Sequence, residues 1–218
     1  MASEPLTLAG ERMRITEDDQ GTTTISFDDV GTGRVCGACQ LCCKLLPVPP
    51  IHKAAGERCR HSKAGKGCTI YADRPFACRT WACRWLADPK TAGMPRPDRC
   101  HYVLDMETDY ATMRDDAGTE HRLNLFQVWV DPAYPEAHRA PELRAFMLAT
   151  AERWGVPTIV RFSSTSAIVI WPPPINGSGE WVEQRDVAIV ARDQGEAGII
   201  ERWRGRDVRV HFVPNHDA

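Results

Sequence analysis

Eight of the nine cysteines in this 218-residue chain lie between Cys36 and Cys83, and that crowding limits what the first half can become. The run C-G-A-C-Q-L-C-C supplies Cys36, Cys39, Cys42 and Cys43; Cys59, Cys68, Cys78 and Cys83 follow. Gly and Pro punctuate the same stretch (Pro47, Pro49, Pro50, Gly56, Gly65, Gly67, Pro75), and its apolar residues show no long period. Such a segment cannot build much core alone, so ligands are expected to help hold it. The N-terminus lacks a basic start followed by a long apolar run, and no stretch approaches the roughly 18 apolar residues of a membrane span. These features predict a cytoplasmic protein without a membrane partner. Under reducing conditions, thiols this dense point to metal ligation rather than a disulfide framework, and an odd cysteine total agrees.

Charge supports the same view. The formal net charge is −2, yet residues 34–86 hold ten Lys or Arg against two acids, Glu57 and Asp73. Metal ligation requires thiolates, and nearby arginines lower thiol pKa and hold the negative charge. The basic stretch is better explained as local compensation than as a nucleic-acid footprint.

The spacing C-x2-C-x2-C of Cys36, Cys39 and Cys42 suits a cubane iron–sulfur cluster, but the ferredoxin continuation x3-C-P is missing. Zinc takes four tetrahedral S or N ligands, commonly from C-x2-C pairs. Both metals remain open. Adjacent Cys42 and Cys43 point in different directions and can serve different sites, although spacing does not show how eight ligands divide. His52 and His61 are candidate substitutes for a sulfur, His61 the better placed. C-x2-C redox chemistry would need a thioredoxin-like βαβ context, which the sequence lacks.

Three segments carry a resemblance: C-G-A-C-Q-L-C-C-K-L-L-P-V, then A-A-G-E-R-C-R-H, then G-K-G-C-T-I-Y-A-D-R-P-F-A-C-R-T-W-A-C-R-W-L. Together they resemble the bacterial YkgJ-like cysteine-cluster family of zinc- or iron-chelating proteins. The likeness covers about residues 36–86. The resemblance implies that Cys36, Cys39, Cys42, Cys43, Cys59, Cys68, Cys78 and Cys83 form the metal-ligand set, with an iron–sulfur cluster or zinc as cofactor. One departure is Ser62, where relatives often carry a further cysteine, which shifts attention to His61. Arg74 and Arg79 are candidate donors to the thiolates, Asp73 a partner for either, and Tyr71 and Trp81 candidate shields against water. Cys100 lies outside the matching block and reads as a buried thiol.

The predicted fold class is α+β. A polar lead-in (1–34) contains a strand at Thr22–Phe27 after a turn at Asp18–Gly21. An irregular cysteine-rich metal-binding module with short helices (35–100) follows, with helical turns at Cys39–Leu46 and Pro75–Leu86 and a Pro- and Asp-rich loop at Asp88–Asp98. An α+β scaffold (101–218) should pack on it as a mostly antiparallel sheet with one main helix. Its strands are predicted at Tyr102–Met106, Leu123–Val130 (central, apolar on both faces), Thr158–Phe162, Ala167–Trp171, Trp181–Glu183, Val187–Val190 and Val208–Val213. Helices are predicted at Pro141–Trp154, with Glu142 in its first turn and Gly155 as its stop, and at Glu196–Trp203. Trp129, Trp171 and Trp181 read as core. No phosphate loop, nucleophile elbow or zincin motif occurs. The sequence therefore points to a metal-binding protein whose scaffold meets a protein partner or protein substrate. The alternatives are a cluster-dependent, protein-modifying enzyme of methyltransferase or oxidoreductase type, and metal storage or delivery.

Overall fold

The computed structural model describes residues 6–8, 11–17, 23–27, 32–75, 78, 81–114, 117–185, 187, 200–203 and 206–208, with backbone alone for 6–27, 106–114, 120–123 and 200–208. Three strands come first: β1 (Leu6–Leu8), β2 (Glu11–Glu17) and β3 (Thr23–Phe27), which form an antiparallel meander. The expected strand at Thr22–Phe27 is β3; β1 and β2 were not predicted, β1 being only three residues long and β2 mostly polar. The turn predicted at 18–21 lies outside the described residues.

The cysteine-rich stretch is made of short pieces. Helix α1 spans Leu41–Leu45, a 3-10 turn covers Pro49–Ile51, and the two-residue strands β4 (Ser62–Lys63) and β5 (Gly67–Cys68) pair. The helix predicted at Pro75–Leu86 is interrupted: Cys78 is helical, Trp81–Cys83 is not, and helix α2 begins at Arg84 and ends at Ala87. Residues 76, 77, 79 and 80 lie outside the description. The loop expected at Asp88–Asp98 contains a 3-10 turn at Pro89–Thr91, capped by Asp88 accepting from the Lys90 N–H, and leads into helix α3 (Pro97–Cys100).

A five-stranded sheet follows, in the order β10-β9-β8-β7-β6. Its strands are β6 (Tyr102–Arg114), β7 (Glu120–Val130), β8 (Thr158–Arg161), β9 (Ala167–Trp171) and β10 (Val182–Gln184). All neighbours are antiparallel except β7 and β8, which run parallel because helix α4 (Pro141–Trp154) carries the chain across between them. Helix α4 begins on Pro141 and stops where Gly155 turns left-handed (φ 65°), as its end signals predict. A short helix α5 (Pro173–Asn176) closes the β9–β10 connection. Strand β7 is interior rather than central, since β8 holds the middle. β6 extends well past Met106, paired with β7 through Arg114 and Glu120.

Alternation on β7 divides the core. Phe126, Val128 and Val130 face α4, packing with Leu143 and Met147 of the helix and with Tyr102, Leu104, Val160, Ile168 and Ile170. On the opposite face, Val103 and Trp129 pack against Cys39, Leu41 and Leu45. The sheet therefore lies between helix α4 and the cysteine-rich segment. Trp129 is buried as expected, whereas Trp171 and Trp181 pack only partly buried against the core.

The C-terminal expectations fare less well. Residues 188–190, 196–199 and 209–213 lie outside the description, and Val187 is not in a strand. The helix predicted over Glu196–Trp203 is corrected at its described end: Ile200–Trp203 is strand β11, paired antiparallel with β12 (Arg206–Val208). β-branched and aromatic residues there favour strand pairing over a short helix. Among the described residues, no helix is long and apolar enough to cross a membrane.

Glu183 on edge strand β10 gathers Arg139 at 3.0 Å, Arg144 at 3.2 Å and Arg185 at 2.8 Å. Arg139, hydrogen-bonded to the carboxylate, is the main cause that brings its pKa down to about 2. Since its folded pKa lies below the unfolded value, the stabilisation is complete above the ordinary carboxylate range and fades as pH falls toward 2. Glu183→Gln should lose on the order of 1 kcal/mol at neutral pH, since solvent screens so exposed a network, and show a shallower loss of stability between pH 4.5 and 2, measured by denaturant unfolding across that range.

Candidate metal centre

Helix α1 organises the thiols. Its residues Leu41 and Leu45 are buried against the sheet, and Lys44 reaches Asp131 at 2.7 Å just beyond the end of β7. Cys42 and Cys43 are consecutive on this helix, so their side chains leave it about 100° apart. Before it, the Cys39 N–H donates to the Cys36 carbonyl (3.0 Å) and the Cys36 thiol to the Cys39 carbonyl (3.6 Å). That turn uses Gly37 in the left-handed region (φ 50°).

A small cavity of about 10 Å³ is lined by Cys36, Cys39, Cys42 and Cys83, with Trp85, Leu86, Pro97 and Val103 as apolar walls. Burial pushes the Cys83 thiol up to about 12 and also raises that of Cys39. The Cys42 thiol lies within hydrogen-bonding reach of both Cys36 and Cys43. That sharing raises Cys42 and lowers each neighbour to about 7.

The other sulfurs gather on the far side of α1. The Cys59 N–H donates to the Cys43 carbonyl (2.8 Å), and the Ser62 N–H donates to the Cys59 carbonyl (2.9 Å). Ser62 in turn pairs with Cys68 across the β4–β5 hairpin. The Cys78 thiol, raised by burial to about 11, lies within electrostatic reach of Cys43, Cys59 and Cys68. Cations stand beside this group. Lys53 is buried, with Nζ donating to the carbonyls of Leu46, Ala54 and Lys44, and it lies close to Cys43 and Cys59. Arg58 and Arg74 act on Cys43 in the same way.

Neighbouring side chains explain how so irregular a segment keeps its shape. Buried Gln40 accepts from Ser62 Oγ (2.7 Å) and Arg58 Nη1 (3.0 Å) and donates to the Lys63 carbonyl, tying the hairpin to α1. Ser62, where a further cysteine was anticipated by resemblance, thus has its hydroxyl engaged. His61 Nε2 accepts from Arg60 (3.1 Å), and His52 is an exposed left-handed residue ending the 3-10 turn. Arg74 lies 3.6 Å over the ring of Tyr71 and donates to its carbonyl (2.8 Å), while Asp73 is exposed. Arg79 lies outside the described residues. Cys100 is half-buried against the helix-side core, its thiol near the Pro95, Pro97 and Tyr102 carbonyls.

Sequence reasoning missed Asp105. Its buried carboxylate accepts from Trp81 Nε1 (2.8 Å), Trp129 Nε1 (3.2 Å) and Gln127 Nε2 (2.9 Å), and its carbonyl accepts from Arg84 Nε (2.9 Å). Trp81 and Arg84 bracket Cys83, so Asp105 fastens that ligand candidate to the sheet. A lone Asp between apolar strand residues, Leu104 and Met106, was the signal available.

All nine cysteines are free thiols. Among the described residues, no group of three or more His, Cys, Asp or Glu side chains is placed so that it could hold a metal ion as it stands. The chemistry of the donors nonetheless fits a thiophilic metal: sulfurs outnumber every other donor, they lie near one another, and cations stand close to them. No protein-family model matches the chain, and no curated protein or solved structure matches it.

Gly67 places the cysteine hairpin against the Cys36 turn. It has φ 80°, and a Cβ there would stand 2.6 Å from the Gly37 carbonyl oxygen. Gly56 has the same φ but open space around it. Gly67→Ala should therefore destabilise the protein more than Gly56→Ala, by about 1 kcal/mol or more, in denaturant unfolding under reducing conditions. Equal losses would remove the contact between the two loops.

Proposed function

We infer that this chain is a metal-binding protein, holding an iron–sulfur cluster or zinc through Cys36, Cys39, Cys42, Cys43, Cys59, Cys68, Cys78 and Cys83. The observation that carries this reading is the gathering of these thiols around α1, on one face of the sheet. Cys39, Cys42 and Cys83 share the apolar cluster beside the sheet, but apolar packing and disulfides do not account for Cys43 and Cys59 standing close to Lys53, Arg58 and Arg74. As thiolates they would supply the charge these cations answer, and a metal would join loops that have little core of their own. The likeness to the YkgJ-like family supports the same ligand set. The metal, when bound, supplies cross-linking and, if it is iron–sulfur, electron transfer. The protein's own groups supply the rest: Lys53, Arg58 and Arg74 balance charge, while Leu41, Leu45, Trp81 and Val103 exclude water.

A second reading, a cluster-dependent enzyme acting on a protein, is favoured by one feature. An open groove of about 550 Å³ is lined by Cys100, His101, Tyr134, Glu136 and Arg139. Helix α3 contributes Pro97 to the cysteine cavity and Cys100 to this groove, so the two are neighbours. His101 stacks on Tyr134 with ring centroids 3.5 Å apart.

Purification without oxygen, followed by metal and sulfide analysis and visible absorption, should give either brown protein with labile sulfide or colourless protein with zinc. Cys39→Ser and Cys78→Ser should each lower metal content and melting temperature. Unchanged stoichiometry and unchanged melting in both variants would contradict the reading, as would a metal-free parent protein.

A further inference from the structure

We propose that the chain holds two separate tetrathiolate metal centres, an inner one of Cys36, Cys39, Cys42 and Cys83 and an outer one of Cys43, Cys59, Cys68 and Cys78. The proposal rests on the metal-binding reading above and divides its ligands. Spacing alone leaves that division open, because eight cysteines can be split into fours in many ways. Three structural facts select one of them.

The first is the divergence of Cys42 and Cys43 on α1. Consecutive helical residues differ in direction by about 100°, so one faces the apolar cavity and the other faces the hairpin. Cys42 lines the cavity with Cys36, Cys39 and Cys83, whereas Cys43 does not.

The second is the cavity itself. It is lined by four cysteines and, apart from them, only by Trp85, Leu86, Pro97 and Val103. A volume of about 10 Å³ is near that of one water-sized sphere, which also suits a single ion among four sulfurs. Cys83 is brought there by the far end of the segment, whose helix α2 is held by Arg34 and Thr32. Arg34 donates to the Trp85 carbonyl and to Thr91 Oγ1 (2.8 Å), and Thr32 Oγ1 donates to the Leu86 carbonyl (2.8 Å).

The third is the chain of backbone bonds on the other side. Cys43 binds Cys59 through a carbonyl, Cys59 binds Ser62, and Ser62 pairs with Cys68, so three of the four are fixed by main-chain contacts. Cys78 lies within electrostatic reach of the same three. The two sets also differ in surroundings. The inner set is walled by apolar side chains and the outer set is served by buried Lys53, so their metals should differ in exchange rate and accessibility.

Cobalt(II) titration of the reduced, metal-free full chain tests the proposal. Tetrathiolate absorption should rise to a break at two equivalents, and native protein should carry two centres per chain. The double variant Cys39→Ser/Cys83→Ser should keep one equivalent, as should Cys59→Ser/Cys68→Ser, and combining all four should leave none. In the unmutated chain, chelator should strip the outer equivalent first. Saturation at one equivalent would overturn the division while leaving metal binding intact. Loss of all metal from either folded double variant would also overturn it. A parent chain that binds no cobalt and carries no native metal would defeat the underlying reading as well. Because the unmutated titration decides the stoichiometry, a variant that fails to fold does not rescue the proposal.

Discussion

A buried carboxylate, that of Asp105, fastens the cysteine-rich segment to the sheet. Asp105 stands where the β6–β7 register shifts, between the pairs Leu104–Val128 and Thr108–Phe126. The irregularity frees its carbonyl to accept from Arg84, while its carboxylate takes two indole N–H groups and one amide. Burying a charge is costly unless it is hydrogen-bonded from several sides, and here the donors come from both the sheet and the cysteine segment. Removing that carboxylate would leave the Trp81, Trp129 and Gln127 donors seeking partners together. β-bulges re-aim a side chain in this way beside many functional sites.

Around that anchor, the cysteine-rich segment is held by side chains where regular structure is missing. Gln40, Lys53, Arg34 and Thr91 each bond backbone carbonyls or side chains of neighbouring loops and short elements. Buried Lys53 is instructive: its ammonium donates to three carbonyls of the loops around α1, which offsets the cost of taking it out of water. The same ammonium stands near Cys43 and Cys59, so one residue ties the loops together and sets a cation beside these thiols. Covering both faces of a sheet normally takes helices. Here α4 covers one, and the other is met by Leu41, Leu45 and a thiol, Cys39.

Legibility in the sequence followed the length and period of each element. Pro141–Trp154 has fourteen residues, a start signal and a stop signal, and its limits were readable. Ala167–Trp171 and the turn at Ser163–Ser166 were readable for a similar reason, because apolar runs bounded by small polar residues make hairpins. Ile200–Trp203 was not, since four residues carry too little period to separate strand from helix. The cysteines announced themselves by count, but their grouping did not. The contact between Gly67 and Gly37 and the role of Asp105 depend on residues far apart in the chain, with no local pattern to mark them.

The amino-acid order alone determined the local matters: an α+β chain, a main helix with start and stop signals, and a basic, thiol-crowded segment with no long apolar period. These follow from periods, caps and composition, which are properties of neighbouring residues. Tertiary structure alone decided which cysteines line one cavity, which face of the sheet the cysteine-rich segment covers, and which carboxylate fastens it there. Those outcomes depend on the angle between Cys42 and Cys43 on one helical turn and on strands that meet only after the chain has crossed itself, so no window of sequence contains them.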